Sequence, residues 1–546
     1  MEQFIFSSRA KLTTGVMMAV GLICLVLTYF LDAEYHHARF WSNYLHNTVF
    51  FLGLGFTALF AMAAFTTAYA GWYVVMKRVW EAMSLWLLPA LFLMGVIMVA
   101  LVLHSTHLYH WNDAEAVAAD SILTHKSGFL NIYWYIGGTI IFGGLWYFFA
   151  DKMRKLSVGE DGNAVGDYRN HRIYKRYAAA FLPIAGFTSA FMIWLWVMSL
   201  DAHWYSTMFA WYATASWFVS MIALTIMMLI YLKSRGYFPN VTDEHLHDLG
   251  KYLFAFSIFW SYLWFSQYML IWYANVGEET IYFRERLDNY RVLFYGILLV
   301  NLLLPFIILM SNKNKRKYGT LFFAALFVFL GHWVDFFQMI KPGVALSIRE
   351  HNLHMDGGAH GTAAHGDDHA LEAHGEDHGA MADHDGDHDD DLEQSDSDAE
   401  GHSADRASDP ALLAMSEDHE HDENYHGEAI AQDDGYDPVD RSHTSGGKTE
   451  QEQDMSVLPI DRTEMAERPV SALAGQYRVN DGDEDEAHGA EIVPFKAGYT
   501  LPGFLEIGTF IGFLGGFLFF VLSKLQHSAL RPKNDPYLVE SEHHHV

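Results

Sequence analysis

Ten stretches of about 20 mostly apolar residues punctuate this sequence, near 12–31, 45–70, 80–104, 129–150, 177–200, 208–232, 250–275, 291–311, 318–340 and 502–523. As a helix, each matches a hydrocarbon core about 30 Å thick. Lipid offers the backbone no hydrogen-bond partners, so helices are the form such runs take. The expected fold class is an all-α polytopic membrane protein with about ten transmembrane helices. The first run, after Arg9 and Lys11 and reaching Phe30, is long for a secretory signal and lacks a small-residue cleavage site, so it is read as a span.

The loops indicate sidedness. MKRV (76–79), DKMRK (151–155) with HRIYKR (171–176), the segment 233–251 and NKNKRK (312–317) fall on alternate connections, whereas DAEYHHAR (32–39), WNDAEAVAAD (111–120) and LDAHWYS (200–206) are acidic or neutral. Lys and Arg accumulate in cytoplasmic loops. The basic loops, and with an even span count both ends of the chain, are therefore expected on the cytoplasmic side of a bacterial inner membrane.

Charge marks off a second region. Residues 351–500 hold 40 Asp and Glu against 7 Lys and Arg, a net of -33, so this one segment accounts for the chain's formal net charge of -30 and the remainder is close to neutral. Its HGTAAHGDDHALEAHGEDHGAMADHDGDHDDD (360–391) and the continuation are too polar to offset chain entropy by burial. A mostly disordered, periplasmic, acidic His-rich insert is expected over 346–490, following spans one to nine in 1–345. Loose binding of Zn, Cu or Ni by its histidines is a secondary reading. In 491–546, EIVPFKAGYTLPGF (491–504) regains apolar character and is expected to pack on the outer face before the tenth span and a cytoplasmic tail.

Cys24 is the only cysteine. That excludes a Cys-x-x-Cys-His haem attachment, a four-cysteine cluster and an intrachain disulfide. No covalently bound cofactor and no metal site is expected, and His46, near a helix end, is the one candidate partner for His332 in a b-type haem.

Ionisable groups within spans are costly and face the bundle interior. The candidates are Asp201 and His203 after span five, His332 and Asp335 in LGHWVDFFQM (330–339), and Glu506 early in span ten, with Glu81 beside Arg78 read as lying at the headgroup level. His332, Asp335 and Gln338 recur every three residues on one helix face. A carboxylate beside an imidazole fixes its tautomer and raises its basicity, as a proton relay or a quinol-site base requires. The structural alternative is that the two satisfy each other or a neighbouring Tyr or Trp. Trp204, Tyr205, Trp211 and Tyr212 read as an interfacial belt. Ser257, Ser261, Trp264 and Tyr268 form a polar-aromatic stripe of the kind that holds helices together. Gln267, Tyr273 and Asn275 lie off that stripe and read as an assembly surface at the outer end, bonded to neighbouring subunits or to the loop at Glu278 and Glu279.

With LDAHWYSTMFAWY (200–212) before it and LGHWVDFFQMI (330–340) after it, QYMLIWYANVGEETIYF (267–283) resembles the second quinone-binding-type subunits of bacterial alternative complex III, which are similar to polysulfide-reductase membrane subunits of the NrfD type. The resemblance covers roughly 1–345 and 495–540. It implies two four-helix bundles, spans two to five and six to nine, flanked by spans one and ten. It implies a subunit of a respiratory quinol:cytochrome c oxidoreductase, contributing scaffold, binding of a quinone such as menaquinone, or proton conduction. Its partners would be a sister NrfD-like quinol subunit, an iron–sulfur subunit, multihaem and monohaem cytochrome c subunits that carry the clusters and haems, a terminal oxidase as acceptor, and membrane lipids, with no nucleic acid. Two other classes are a secondary transporter, for which Pro89, Pro183 and Pro305 show no repeat, and a metal-handling membrane protein that uses the insert.

Overall fold

The computed structural model describes residues 3–32, 37–363 and 501–545; the expectations for the acidic insert beyond 363 and for 491–500 lie outside the described residues. The long helices are α1 (Ser8–Leu31), α2 (Ala38–Thr67), α3 (Val74–Val102), α4 (Ile132–Glu160), α5 (Arg169–Leu200), α6 (Thr207–Ser234) and α7 (Asp243–Ala274), then the shorter α8 (Gly277–Asn289), α9 (Arg291–Leu309), α10 (Tyr318–Ala363) and α11 (Phe504–Leu525). Among the described residues, nine of these helices are long and apolar enough to cross a membrane, and the only sheet-like pairing is a bridge between Gln3 and Ala529. The chain is an all-α polytopic membrane protein. The tenth expected span is present as α7, but it falls short on apolarity because Ser257, Ser261, Ser266, Gln267 and several Trp and Tyr residues interrupt it.

Helices α2, α3, α4 and α5 pack in a ring, and α6, α7, α9 and α10 form a second. The most buried members, α2 and α6, lie against each other and join the two bundles. Helices α1 and α11 pair along their length on the outside. Only Thr14, Gly21 and Thr28 of α1 are buried, seven residues apart. A Cβ built on Gly21 would lie 2.3 Å from the Gly512 Cα, so the two backbones touch. With lipid as apolar as leucine, close approach through small residues is what holds such a pair. Leu12, Leu22, Ile23 and Phe30 of α1 are exposed.

The basic loops gather at one end, where the segment after α11 folds back beneath them. Lys77 pairs with Asp535, and the Val75 N–H donates to Ser541 Oγ at 3.1 Å. Near the chain start, the Ile5 N–H donates to the Tyr237 hydroxyl. The described residues near the start of the chain and those after α11 therefore both lie against the basic loops. The domain boundary expected at 345/346 falls within a helix, because α10 runs on to Ala363. Inside α9, Pro305 lacks an N–H and its ring crowds the carbonyl of Asn301 four residues earlier. The chain responds with a π-helical turn, Leu299–Leu303.

Candidate functional site

Helix α10 presents two polar faces. His332, Asp335 and Gln338 face the second bundle, whereas Trp333 and Lys341 face α2 and α11.

On the first face, His332 and Asp335 are fully buried, with Ser216 of α6 and Trp260 of α7. Asp335 Oδ1 accepts from the Tyr212 hydroxyl. Its Oδ2 accepts from Ser216 Oγ at 2.8 Å and from Trp260 Nε1 at 2.9 Å. Ser216 Oγ also lies 2.9 Å from His332 Nδ1, whereas His332 Nδ1 and Asp335 Oδ2 are 3.7 Å apart. The expected direct couple is therefore bridged. Ser216 spends its proton on the carboxylate, so His332 Nδ1–H donates to Ser216 Oγ and Nε2 carries the lone pair. Among the described residues Nε2 has no partner. The acid takes a Tyr and a Trp from neighbouring helices, and it reaches the imidazole through one hydroxyl.

Gly331 keeps α10 close to α9 beside this group. A Cβ there would lie 2.0 Å from Asn301 Oδ1, so the π-helical turn brings a fully buried amide against the helix one residue before His332. Neither polar side-chain atom of Asn301 has a partner among the described residues.

Tyr212 also lines a narrow cleft with Trp264, Gln267, Tyr282, Arg286 and Gln338, with room for about one water. Gln267 Nε2 and Gln338 Oε1 have no partner among the described residues. Arg286 closes the far side. It donates to Asp201 Oδ2 at 3.0 Å, and its guanidinium stacks 3.3 Å from the Tyr282 ring, which stacks in turn on Trp204 at 3.8 Å. Burial alone would lower the Arg286 pKa, but Tyr282 and Asp201 outweigh it and the group is held more firmly charged than usual.

The other predicted residues scatter. Asp201 pairs with Arg286, and His203 bonds Asp120 in the 103–131 connection. Burial favours a neutral Asp120, but the bonds from His203 and from the Leu123 and Ile122 N–H groups prevail and depress its pKa. Glu506 belongs to the second face. It takes Arg39 bidentately at 2.7 and 3.0 Å, Asn43 at 3.0 Å and the Gly503 N–H at 2.9 Å. Nearby, Lys341 Nζ donates to Ser42 Oγ at 2.6 Å. His46 is buried rather than at a helix end, and its Nε2 bonds the Trp333 carbonyl at 2.9 Å, which occupies the nitrogen a haem would need. Glu81 is fully buried and pairs with Arg78 at 2.7 Å.

At the end of α7, the expected common surface divides. Gln267 is buried in the cleft, Tyr273 is 82 % exposed, and Asn275 ends the helix in the left-handed region at φ 48°. Of the stripe, Ser257 and Trp264 are buried, and Trp264 stacks on Tyr268. In the belt, Tyr205 and Trp211 are exposed, but Tyr212 turns inward to Asp335.

Sequence reasoning missed Ser216, Trp260, Arg286, Asn301 and Lys341. The available signals were weak: an amide four residues before a proline in LVNLLLPF (299–306), and a lysine at the end of a span beside Pro342. The chain matches no protein-family model and no curated protein.

Proposed function

We propose that this chain is a non-redox membrane subunit of a respiratory quinol:electron acceptor oxidoreductase, and that it conducts protons as well as serving as scaffold. The observation that carries the proposal is the buried line from His332 through Ser216 and Asp335 to Tyr212, which ends at a polar cleft away from the basic loops. Asp335 holds the proton in transit, and the Ser216 and Tyr212 hydroxyls, each both donor and acceptor, pass it along. A water in the cleft, bonded to Gln267 and Gln338, takes it outward. His332, with Nε2 as acceptor, is the inner station. The basic loops supply the reason to put the cytoplasm at their end, and release would be periplasmic.

The cleft has aromatic walls and amide groups suited to a quinone ring, but room for about one water. It is therefore assigned to proton exit, and quinol oxidation, with its haems and iron–sulfur clusters, to partner subunits. The resemblance of residues 200–212, 267–283 and 330–340 to alternative complex III membrane subunits supports this assignment.

Purification from native membranes in mild detergent tests it. The chain should co-migrate with haem-containing polypeptides and with quinol:acceptor activity. Recovery as a lone, colourless polypeptide that moves a solute in vesicles would favour a transporter and sink the proposal.

A further inference from the structure

At the basic end, a cavity of about 650 Å3 opens between α1, α6, α10 and α11. That lies within the ~300–1,000 Å3 range of ligand sites. Its walls are apolar, with Met17, Leu224, Met228, Phe329, Leu514 and Leu518 among them. Its mouth is not: Arg9 and Arg235 line it beside Tyr231 and Tyr237, and both arginines are exposed. Among the described residues neither arginine is paired with a carboxylate.

We infer that this groove is a binding site for one anionic phospholipid of the basic-side leaflet. The phosphate sits between Arg9 and Arg235, one acyl chain lies along the groove, and the other faces the bilayer. Three observations converge on that occupant. The first is charge, since two guanidinium groups that meet no carboxylate among the described residues attract an anionic headgroup. The second is position: Arg9 lies in the first turn of α1, whose positive dipole end favours phosphate, with the Ala10 N–H already taken by Ser7 Oγ. The third is depth. The groove follows α11 from Leu522 to Phe510, a rise of ~18 Å at 1.5 Å per residue. That is about half of a ~30 Å hydrocarbon core, the reach of one leaflet. The site would pin α1, which otherwise touches the body mainly through α11, against α6 and α10. The inference is independent of the respiratory reading.

The test is native mass spectrometry of the full-length protein extracted in mild detergent, followed by titration of the delipidated protein with phosphatidylglycerol and phosphatidylcholine. The protein should retain one phospholipid and prefer phosphatidylglycerol. Arg9→Gln and Arg235→Gln should each weaken phosphatidylglycerol binding about fivefold and erase the preference together. Thr13→Trp, which fills the groove from an exposed wall without changing charge, should remove both lipids while the protein remains folded. Equal binding of the two lipids, or unchanged phosphatidylglycerol binding in the double arginine variant or in Thr13→Trp, would overturn the inference. Recovery of the groove filled by a quinone tail or by a helix of another polypeptide would overturn it as well.

Discussion

Replacing Asp335 with asparagine separates proton transfer from structure more cleanly than any other change in this chain. The carboxylate accepts from Tyr212, Ser216 and Trp260. An asparagine in the same rotamer can keep its oxygen on Ser216 and Trp260 and turn its amide to Tyr212, whose hydroxyl then accepts. Each bond falls from the charge-assisted range of ~1.5–3 kcal/mol to the neutral range of ~0.5–1.5 kcal/mol. Against that loss of about 3 kcal/mol, the site no longer has to desolvate a carboxylate, a penalty of several kcal/mol. The balance leaves folding stability within about 2 kcal/mol of the parent, and assembly should survive. Proton transfer should not, because the amide has no proton-accepting form at neutral pH; loss of a positioned proton carrier costs about 100-fold or more. The assay is proton release per electron and quinol turnover of the assembled protein in vesicles, beside yield and thermal midpoint. Asp335→Ala is the structural contrast: it strands the Trp260 N–H at a cost of about 1–3 kcal/mol and should appear as lost yield. Full proton release by a well-assembled Asp335→Asn protein would refute the relay.

Gly21→Leu should force α1 off α11 and destabilise their packing by about 1–3 kcal/mol or more, seen as a lower thermal midpoint in detergent; Gly15→Leu, where a Cβ meets nothing within 4 Å, should be silent. Arg286→Gln leaves Asp201 buried without its cation and should cost about 3–5 kcal/mol. Addition of Asp201→Asn should recover much of that loss in the same melt, and a double variant no better than the single one would argue against the pair. The depressed pKa of Asp120 makes the anchoring of its loop a neutral-pH property. That contribution is present above the ordinary aspartate value and is lost as pH falls through the lower folded value, so hydrogen exchange over 114–131 should accelerate there. Asp120→Asn should show the faster exchange at every pH.

What this sequence determined by itself is what lipid and water read locally. Hydropathy over 20 residues located the long helices, because the cost of exposing backbone to lipid depends on a segment and not on its neighbours. The three-residue spacing of His332, Asp335 and Gln338 placed them on one face of α10. The partners of the polar groups were not legible. Asp201 meets Arg286 across 85 residues, Tyr212 meets Asp335 across 123, and Arg39 meets Glu506 across 467. A hydropathy profile scores each of these groups as a cost and cannot tell a compensated charge from an exposed one, so Arg286 and Lys341 read as loop residues although both are buried. Asp201 and His203 are two residues apart in the chain, yet Asp201 takes Arg286 and His203 takes Asp120. Only the packing of the bundles brings such groups into reach, and the low dielectric of the interior then makes each pairing matter.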